Sequence, residues 1–364
     1  MTLSAAVGKP RRIAVFRALF LGDLLCAVPA LNALDRRFPE ARITLIGLPW
    51  ARELAGRLPA VDTFLEFPGY PGLPELPVNE QRTAAFIDGM RYDGYDIAIQ
   101  LHGSGPFTNE LVSSFGADVS IGFGPLGDPW LSQTLPWQED ENETERWLRL
   151  VALLGASTAD TDIDLPILDE ERRQADQLLA VTEFRTGPLI GLHCGSKLES
   201  RRWPIERFAE LGDDLARRYG ARIVLTGNQG ERHLAEAVGQ RMRESALNLA
   251  GKTDLGSFFA LIEKLALLVT NDTGASHVAA ATHTRSVVLF GPSRPSRWAP
   301  LDRALHTVID TRAVIGRDDF ADDDYLHHLP LPPVLRACEQ ALDQIGFHAT
   351  ADSRRRAYFA TERV

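Results

Sequence analysis

Three cysteines, Cys26, Cys194 and Cys338, are all that this chain of 364 residues contains. They lie far apart and form no CxxC pair and no Cys/His ligand spacing, which argues against a disulfide scaffold and a structural zinc and points to a reducing compartment. Apolar runs are short too: no window reaches the ~18 uninterrupted residues of a spanning helix. The start, MTLSAAVGKPRR, has neither the apolar core nor the cleavage site of a signal peptide. A cytoplasmic protein is expected, with peripheral contact at a membrane surface left open. Positive charge is in deficit, with 39 Lys and Arg against 49 Asp and Glu. A general nucleic-acid binder is therefore disfavoured, although a local basic groove can still hold a phosphorylated ligand. Two nucleotide signatures are missing. There is no GxxxxGK[ST] loop, so ATPase and kinase readings lose support, and no GxGxxG follows the first strand, which weakens a dinucleotide-dependent dehydrogenase.

What is present is an alternation of strand and helix nearly from end to end. A soluble composition, 45% hydrophobic and 24% charged, and a length beyond one ordinary core predict two domains. Arg12 to Phe16 reads as a strand. A turn at Leu21-Gly22-Asp23 follows, then a helix from about Leu24 to Phe38, with Leu25, Val28, Leu31 and Leu34 at helical spacing and Pro29 in its first turns. Ala41 to Gly47 is a second strand, and further strands are expected over 62–67, 95–101 and 119–122. Residues 124–141, rich in Gly, Pro and Trp, read as an irregular loop. From Pro188 the same architecture begins afresh. The expectation is an α/β protein with doubly wound parallel sheets: an amino-terminal domain over 1–170, a carboxyl-terminal one over 171–335, and a closing helix with a polar tail over 336–364. Clefts between such domains favour ligands.

The most informative stretch is Ala266 to Ser293, ALLVTNDTGASHVAAATHTRSVVLFGPS. It reads as strand, polar turn, small-residue helix and second strand. The turn Asn271-Asp272-Thr273-Gly274 would open the helix at a strand's carboxyl end, where free N–H groups and the dipole favour an anion, most often a phosphate. His277 lies about one turn further and can face the same guest. In His193–Pro204, a strand runs into a polar loop in which Lys197, Arg201 and Arg202 could neutralise a diphosphate while Ser196 donates a hydrogen bond; a solvated helix-capping loop is the alternative.

The remaining candidates are more open. Glu231, after the strand ending at Thr226, is either a helix-end acid or a ligand of ribose hydroxyls. Thr253 or Asp254 caps the next helix, or Thr253 touches a nucleotide edge. Asp23 is either a cap or a carboxylate able to take a proton from an attacking hydroxyl. Gly22 permits an unusual backbone angle or a close approach to ligand. His102, at a strand end, binds an acceptor or is simply packed. His327-His328 lacks a third metal ligand.

Together these segments resemble glycosyltransferase family 9, the ADP-heptose:lipopolysaccharide heptosyltransferases. IAVFRALFLGDLLCAVPALNALDRRFP (13–39) is similar to that family's opening strand, Gly-Asp turn and helix. Ser196–Pro204 is similar to a phosphate loop ending in K-x-W-P, and Asn271–His277 to the D-[TS]-G-x-x-H signature. The resemblance implies the GT-B fold, in which two Rossmann-like domains face each other across a cleft. It implies an inverting transfer that needs no metal and no cofactor, from a nucleotide-diphosphate sugar to a glycan or glycolipid acceptor, with no nucleic-acid partner. By position, Asp23 would be the general base; Asp272, Thr273, Gly274 and His277 would hold diphosphate and sugar, with Glu231 near the ribose. The chain departs from the pattern in one place: the lysine of K-x-W-P is Arg201 here, and Lys197 stands four residues earlier, so either can be the main phosphate cation. A GT-B transferase with another donor or acceptor, and a silent nucleotide-sugar-binding protein, are the alternatives.

Overall fold

The structure, a computed structural model, describes residues 8–180, 187–319 and 325–349. The polar tail expected at the carboxyl end lies, from residue 350 on, outside the described residues. The chain divides between Pro166 and Ile167 into two compact units.

The first unit holds one parallel sheet of β1 (Arg12–Phe16), β2 (Arg42–Gly47), β3 (Thr63–Glu66), β4 (Ile97–Gln100), β5 (Val119–Phe123) and β6 (Gln133–Leu135). Their order is β3-β2-β1-β4-β5-β6. The second unit repeats the plan with β7 (Leu189–His193), β8 (Arg222–Thr226), β9 (Ala246–Asn248), β10 (Leu267–Asn271), β11 (Ser286–Phe290) and β12 (His306–Asp310), in the order β12-β11-β10-β7-β8-β9. All pairings are parallel, with Phe16 opposite Gln100 and His193 opposite Thr270 in the central pairs. Strand order reverses between β1 and β4 and again between β7 and β10. Open α/β sheets bind ligands beyond the carboxyl ends of the strands at such switch points.

Packing explains why these segments fold as they do. β10 (LLVTN) and β11 (SVVLF) are buried at every residue, the continuous pattern of parallel strands covered on both faces. The helix Ile205–Tyr219 buries Phe208, Leu211, Leu215 and Tyr219 along one side, as an amphipathic helix must. Gly220 ends it at φ 61°, a left-handed conformation that glycine adopts without a Cβ clash. The closing helix Leu331–Asp343 places Val334, Cys338, Ala341 and Leu342 in one core with Leu267, Val269, Val287 and Leu289, and so belongs to the second unit. Among the described residues no helix is long and apolar enough to cross a membrane.

The structure departs from the expected elements where a local rule intervenes. The helix expected from Leu24 to Phe38 is two helices, Leu21–Leu25 and Val28–Arg37. Pro29 has no N–H to give the carbonyl of Leu25, and its ring would crowd that carbonyl, so the chain breaks at Cys26-Ala27. The loop over 124–141 contains the short edge strand β6, paired with β5. Across the boundary expected at residue 170 runs a helix, Asp169–Leu179, clamped to the helix Leu255–Glu263 by Arg172, whose Nε and Nη2 meet the Glu263 carboxylate at 2.8 and 2.9 Å.

Candidate active site

At the β1/β4 switch point the chain gathers Arg17, Asp23 and His102. Asp23 is the third residue of the helix Leu21–Leu25, and its Oδ2 accepts the N–H of Phe20 at 3.3 Å. Asp23 is thus not the N-cap of a helix starting at Leu24; it lies inside the first turn and reaches back to the N-cap N–H through one oxygen. Oδ1 lies 3.6 Å from Arg17 Nη2, and the side chain keeps 20% of its exposure. Gly22 is buried and helical, outside the positive-φ glycines, so the unusual backbone angle considered for it is not what the structure has. His102 is buried, and its Nδ1 accepts the N–H of Ala18 at 3.1 Å. The proton of the neutral ring then sits on Nε2, which faces Glu75 Oε1 at 3.3 Å, while the ring stacks on Phe16 with centroids 4.8 Å apart. Both ring nitrogens are thus engaged inside the protein, linking β1 to β4 and to the segment carrying Glu75.

The β7/β10 switch point brings together most of the other candidates. Thr273 is the N-cap of the helix Gly274–Ala281, its Oγ1 accepting the N–H of Ala275 at 3.2 Å. Gly274 is the first helical residue, and His277 is buried with its ring edge-on to Trp298, centroids 6.5 Å apart. Asp272 Oδ2 accepts the hydroxyl of Ser293 at 2.5 Å and lies 3.6 Å from Arg201 Nη1. Arg201 therefore reaches the helix start, and its Nε is buried with no hydrogen-bond partner among the described residues. Arg202 turns inward instead and donates to the carbonyl of Ser196 at 3.0 and 2.8 Å, holding the loop closed. Ser196 is buried and Lys197 exposed.

Glu231 joins the same loop. Its Oε2 accepts the N–H of Asn228 at 2.9 Å and lies 3.8 Å from His193 Nε2. A Cβ on Gly195 would fall 2.3 Å from the Glu231 Cδ, so the carboxylate packs on bare backbone. Burial pushes the pKa of His193 below its usual value, with the Glu231 charge pulling the other way. The helix Leu255–Glu263 is capped by Asp254, which accepts the N–H of Ser257 at 2.8 Å. Thr253 stands just before that cap, after a turn tied to Gly227 by the Gly251 N–H at 2.9 Å. Among the described residues no three His, Cys, Asp or Glu side chains form a metal-ligand group.

Two residues that hold these sites have no role of their own in the sequence reading, Arg17 and Asn271, the latter read only as part of the polar turn. Asn271, fully buried, accepts the N–H of Trp203 at 3.0 Å and donates to the carbonyls of Cys194 and Gly195 at 3.0 and 3.2 Å. It closes both ends of the loop that carries Ser196 and Arg201. Arg17, 1% exposed, plays the matching part at the other switch point. Its signal was visible: an arginine at the end of a buried strand must find partners, since that residue type is almost never fully buried otherwise.

Residues 83–314 match the family model of glycosyltransferase family 9 (heptosyltransferase). The chain belongs to glycosyltransferase family 9. Among curated members, it is 28% identical over 312 residues to lipopolysaccharide heptosyltransferase 2 of Salmonella typhimurium, covering 82% of this chain and 87% of that one. It is likewise 28% identical to lipooligosaccharide heptosyltransferase 2 of Haemophilus ducreyi, over 80% and 86% of the two chains. A family 9 structure from Veillonella parvula superposes with TM-score 0.78 at 24% identity, covering 92% of this chain and 98% of the other. The ADP-heptose heptosyltransferase II of E. coli gives TM-score 0.67 at 22% identity, over 91% and 99%. This family 9 member is a glycosyltransferase, and its two Rossmann-like sheets are those of the GT-B fold.

Proposed function

We propose that the enzyme moves a heptose from ADP-heptose to a lipopolysaccharide-core acceptor, with inversion and without a metal ion. The observation that carries this reading is the division of chemistry between the two switch points. One presents a partly exposed carboxylate, Asp23, whose second oxygen is left beside a cation. The other presents a capped helix start with a guanidinium and a buried imidazole around it. The donor and acceptor classes come from the relatives' names, which specify heptosyl transfer to lipopolysaccharide and an ADP-linked sugar. A lipid-linked acceptor brings with it peripheral contact at the cytoplasmic face of a membrane.

In this reading Asp23 takes the proton of the acceptor hydroxyl as its oxygen attacks the anomeric carbon. A C–O bond forms to the acceptor while the C–O bond to the diphosphate breaks, and ADP leaves with the electron pair. Charge growing on the diphosphate meets the helix amides at Thr273-Gly274 and the Arg201 fork, donors fixed before the reaction begins. Arg201 is preferred to Lys197 as that cation because it reaches the helix start. Glu231 takes the ribose hydroxyls, Ser196 and Thr253 lie along the nucleotide, and Asp272 and His277 orient the sugar. Gly22 and His102 shape the acceptor side as part of the fold rather than as direct ligands.

The test is calorimetric titration with ADP, UDP, GDP and dTDP in the presence of a chelator, followed by turnover with ADP-heptose. Selective ADP binding and chelator-resistant transfer are expected. Preference for another nucleotide would overturn the donor, a strict divalent requirement the metal-free route, and no nucleotide binding the enzyme's proposed substrate class.

A further inference from the structure

The proposed reaction leaves one ionised side chain at its centre without a task. Arg17 directly follows β1 and is 1% exposed. A buried guanidinium is tolerated only where its donors and its charge are both met. Here Nη1 donates to the carbonyl of Leu101 at 2.5 Å, and Nε and Nη2 donate to the carbonyl of Asp23 at 3.1 and 2.8 Å. Its charge lies 3.6 Å from Asp23 Oδ1 and 3.7 Å from Glu143 Oε2. The face of Trp147 lies 4.4 Å from its central carbon. Glu143 is itself buried and paired with Arg146, whose guanidinium lies 3.6 Å from the Trp137 ring centre. The cation is therefore pinned by Leu101, just past β4, by the helix Glu143–Val151 and by an aromatic face.

What it pins in turn is Asp23, in both main chain and carboxylate. The helix that carries Asp23 has five residues, too few for a helix to hold a geometry by its own hydrogen bonds. A neutral group suffices to staple a switch point, as Asn271 does in the second unit. A fixed cation adds something that a neutral staple cannot, an orienting charge for a carboxylate that must stay aimed at a hydroxyl.

We propose that Arg17 is the positioning residue for Asp23, with Glu143 as its anchor. The inference rests on the reading of Asp23 as the base. Arg17 touches no substrate; it acts by fixing where the carboxylate points. Misplacing a reacting group by about an ångström can lower rates about 100-fold. Arg17→Met should therefore lower kcat by about that factor, and Arg17→Lys, which keeps the charge but loses the fork, by about tenfold. ADP affinity and donor KM should stay within about twofold, because the nucleotide residues belong to the other unit.

The experiment is a double-mutant cycle in kcat with Arg17→Met, Asp23→Asn and the double variant, with ADP titration of each and Glu143→Gln as a milder change at the anchor. The expected result is that Arg17→Met has no further effect once Asp23 is Asn, since a positioning residue has nothing left to position. If Arg17→Met lowers kcat by the same factor in both backgrounds, or lowers ADP affinity in parallel, the inference is overturned while the base reading stands. If Asp23→Asn keeps wild-type kcat, the base reading fails and takes the inference with it. Should Arg17→Met not fold, the same cycle run with Arg17→Lys and with Glu143→Gln decides the matter.

Discussion

The side-chain oxygen of Asn271 accepts the main-chain N–H of Trp203 at 3.0 Å, across 68 residues of sequence. The same carboxamide donates to the carbonyls of Cys194 and Gly195, so a single buried group closes both ends of the proposed phosphate loop. Asn271→Ala strands these main-chain groups, and each buried unmet group costs about 1–3 kcal/mol. A stability loss of at least about 2 kcal/mol is expected in urea titration, with weaker ADP binding. Asn271→Asp should be worse, because a carboxylate faces two carbonyl oxygens it cannot donate to. Wild-type stability in both variants would remove the staple from the account.

Gly195 has a steric reason to be glycine that is separate from backbone freedom. A Cβ there would sit 2.3 Å from the Glu231 carboxyl carbon, and the flexible side chain is what must yield. Gly195→Ala should swing Glu231 away from the Asn228 N–H. Losing a charged hydrogen bond to the ribose is worth about 1.5–3 kcal/mol, at least about tenfold in affinity for the nucleoside diphosphate. The melting temperature should move little, since Asn228 is exposed and its freed N–H can turn to water. Unchanged affinity would take Glu231 out of the nucleotide site.

Thr273 has two separable duties. Its hydroxyl caps the helix Gly274–Ala281, and removing such a cap costs about 1 kcal/mol of stability. Thr273→Ser should keep both cap and nucleotide affinity, whereas Thr273→Ala should lose both. His277→Gln keeps a polar side chain but not the imidazole, and should weaken nucleotide-sugar binding about tenfold, about 1.4 kcal/mol. Titration calorimetry beside thermal melts separates the two effects; a stability change with undiminished binding would contradict the donor-site reading.

Acid should weaken the second unit through a histidine that the reaction does not use. His306, in β12, is 2% exposed, and its Nδ1 pairs with Ser286 Oγ at 2.8 Å. Burial pushes its pKa down from 6.5 to about 4, against the weaker upward pull of Asp302. The unfolded chain therefore binds more protons than the folded one between those values. Stability falls as pH drops below 6.5 and levels off below about 4, by about 1.4 kcal/mol per unit. Buried His193 is shifted the same way, so His306→Asn should flatten the pH dependence without abolishing it. Urea midpoints across that range check this; identical slopes in the two proteins would contradict it.

The alternation of apolar strands and amphipathic helices made the doubly wound architecture legible; β1 emerges with the bounds that its apolar run suggests, and β8 ends at Thr226 as expected. The helix start at Thr273 and Gly274, with Asp272 before it and His277 one turn on, was legible because a polar turn between a buried strand and a helix has a local chemical meaning. The helix Glu80–Asp93 was not, because it buries only Thr83 and Met90 and so lacks a clear apolar stripe. The short strands β6 and β9 escaped as well, since three residues carry too little period to read. Arg17 depends on Leu101 and Glu143, 84 and 126 residues away, and Asn271 on Trp203, 68 away, and no local pattern encodes those distances. For His102 the sequence left acceptor binding and simple packing open; only the positions of Ala18 and Glu75 show that it is packed with both nitrogens occupied.

The hydrogen bond from Ala18 to His102 spans 84 residues, and Glu143 stands further along still. During synthesis the Gly22-Asp23 turn emerges long before either partner exists, by on the order of ten seconds at ordinary elongation rates. Until β4 arrives, Arg17 remains hydrated, and its charge opposes premature burial of the apolar run it follows. Closing so long a loop is also entropically slow, which makes the β1/β4 pairing a natural late event in folding. The proposed base is thus translated well before its partners, and its surroundings assemble only when most of the first unit has left the ribosome.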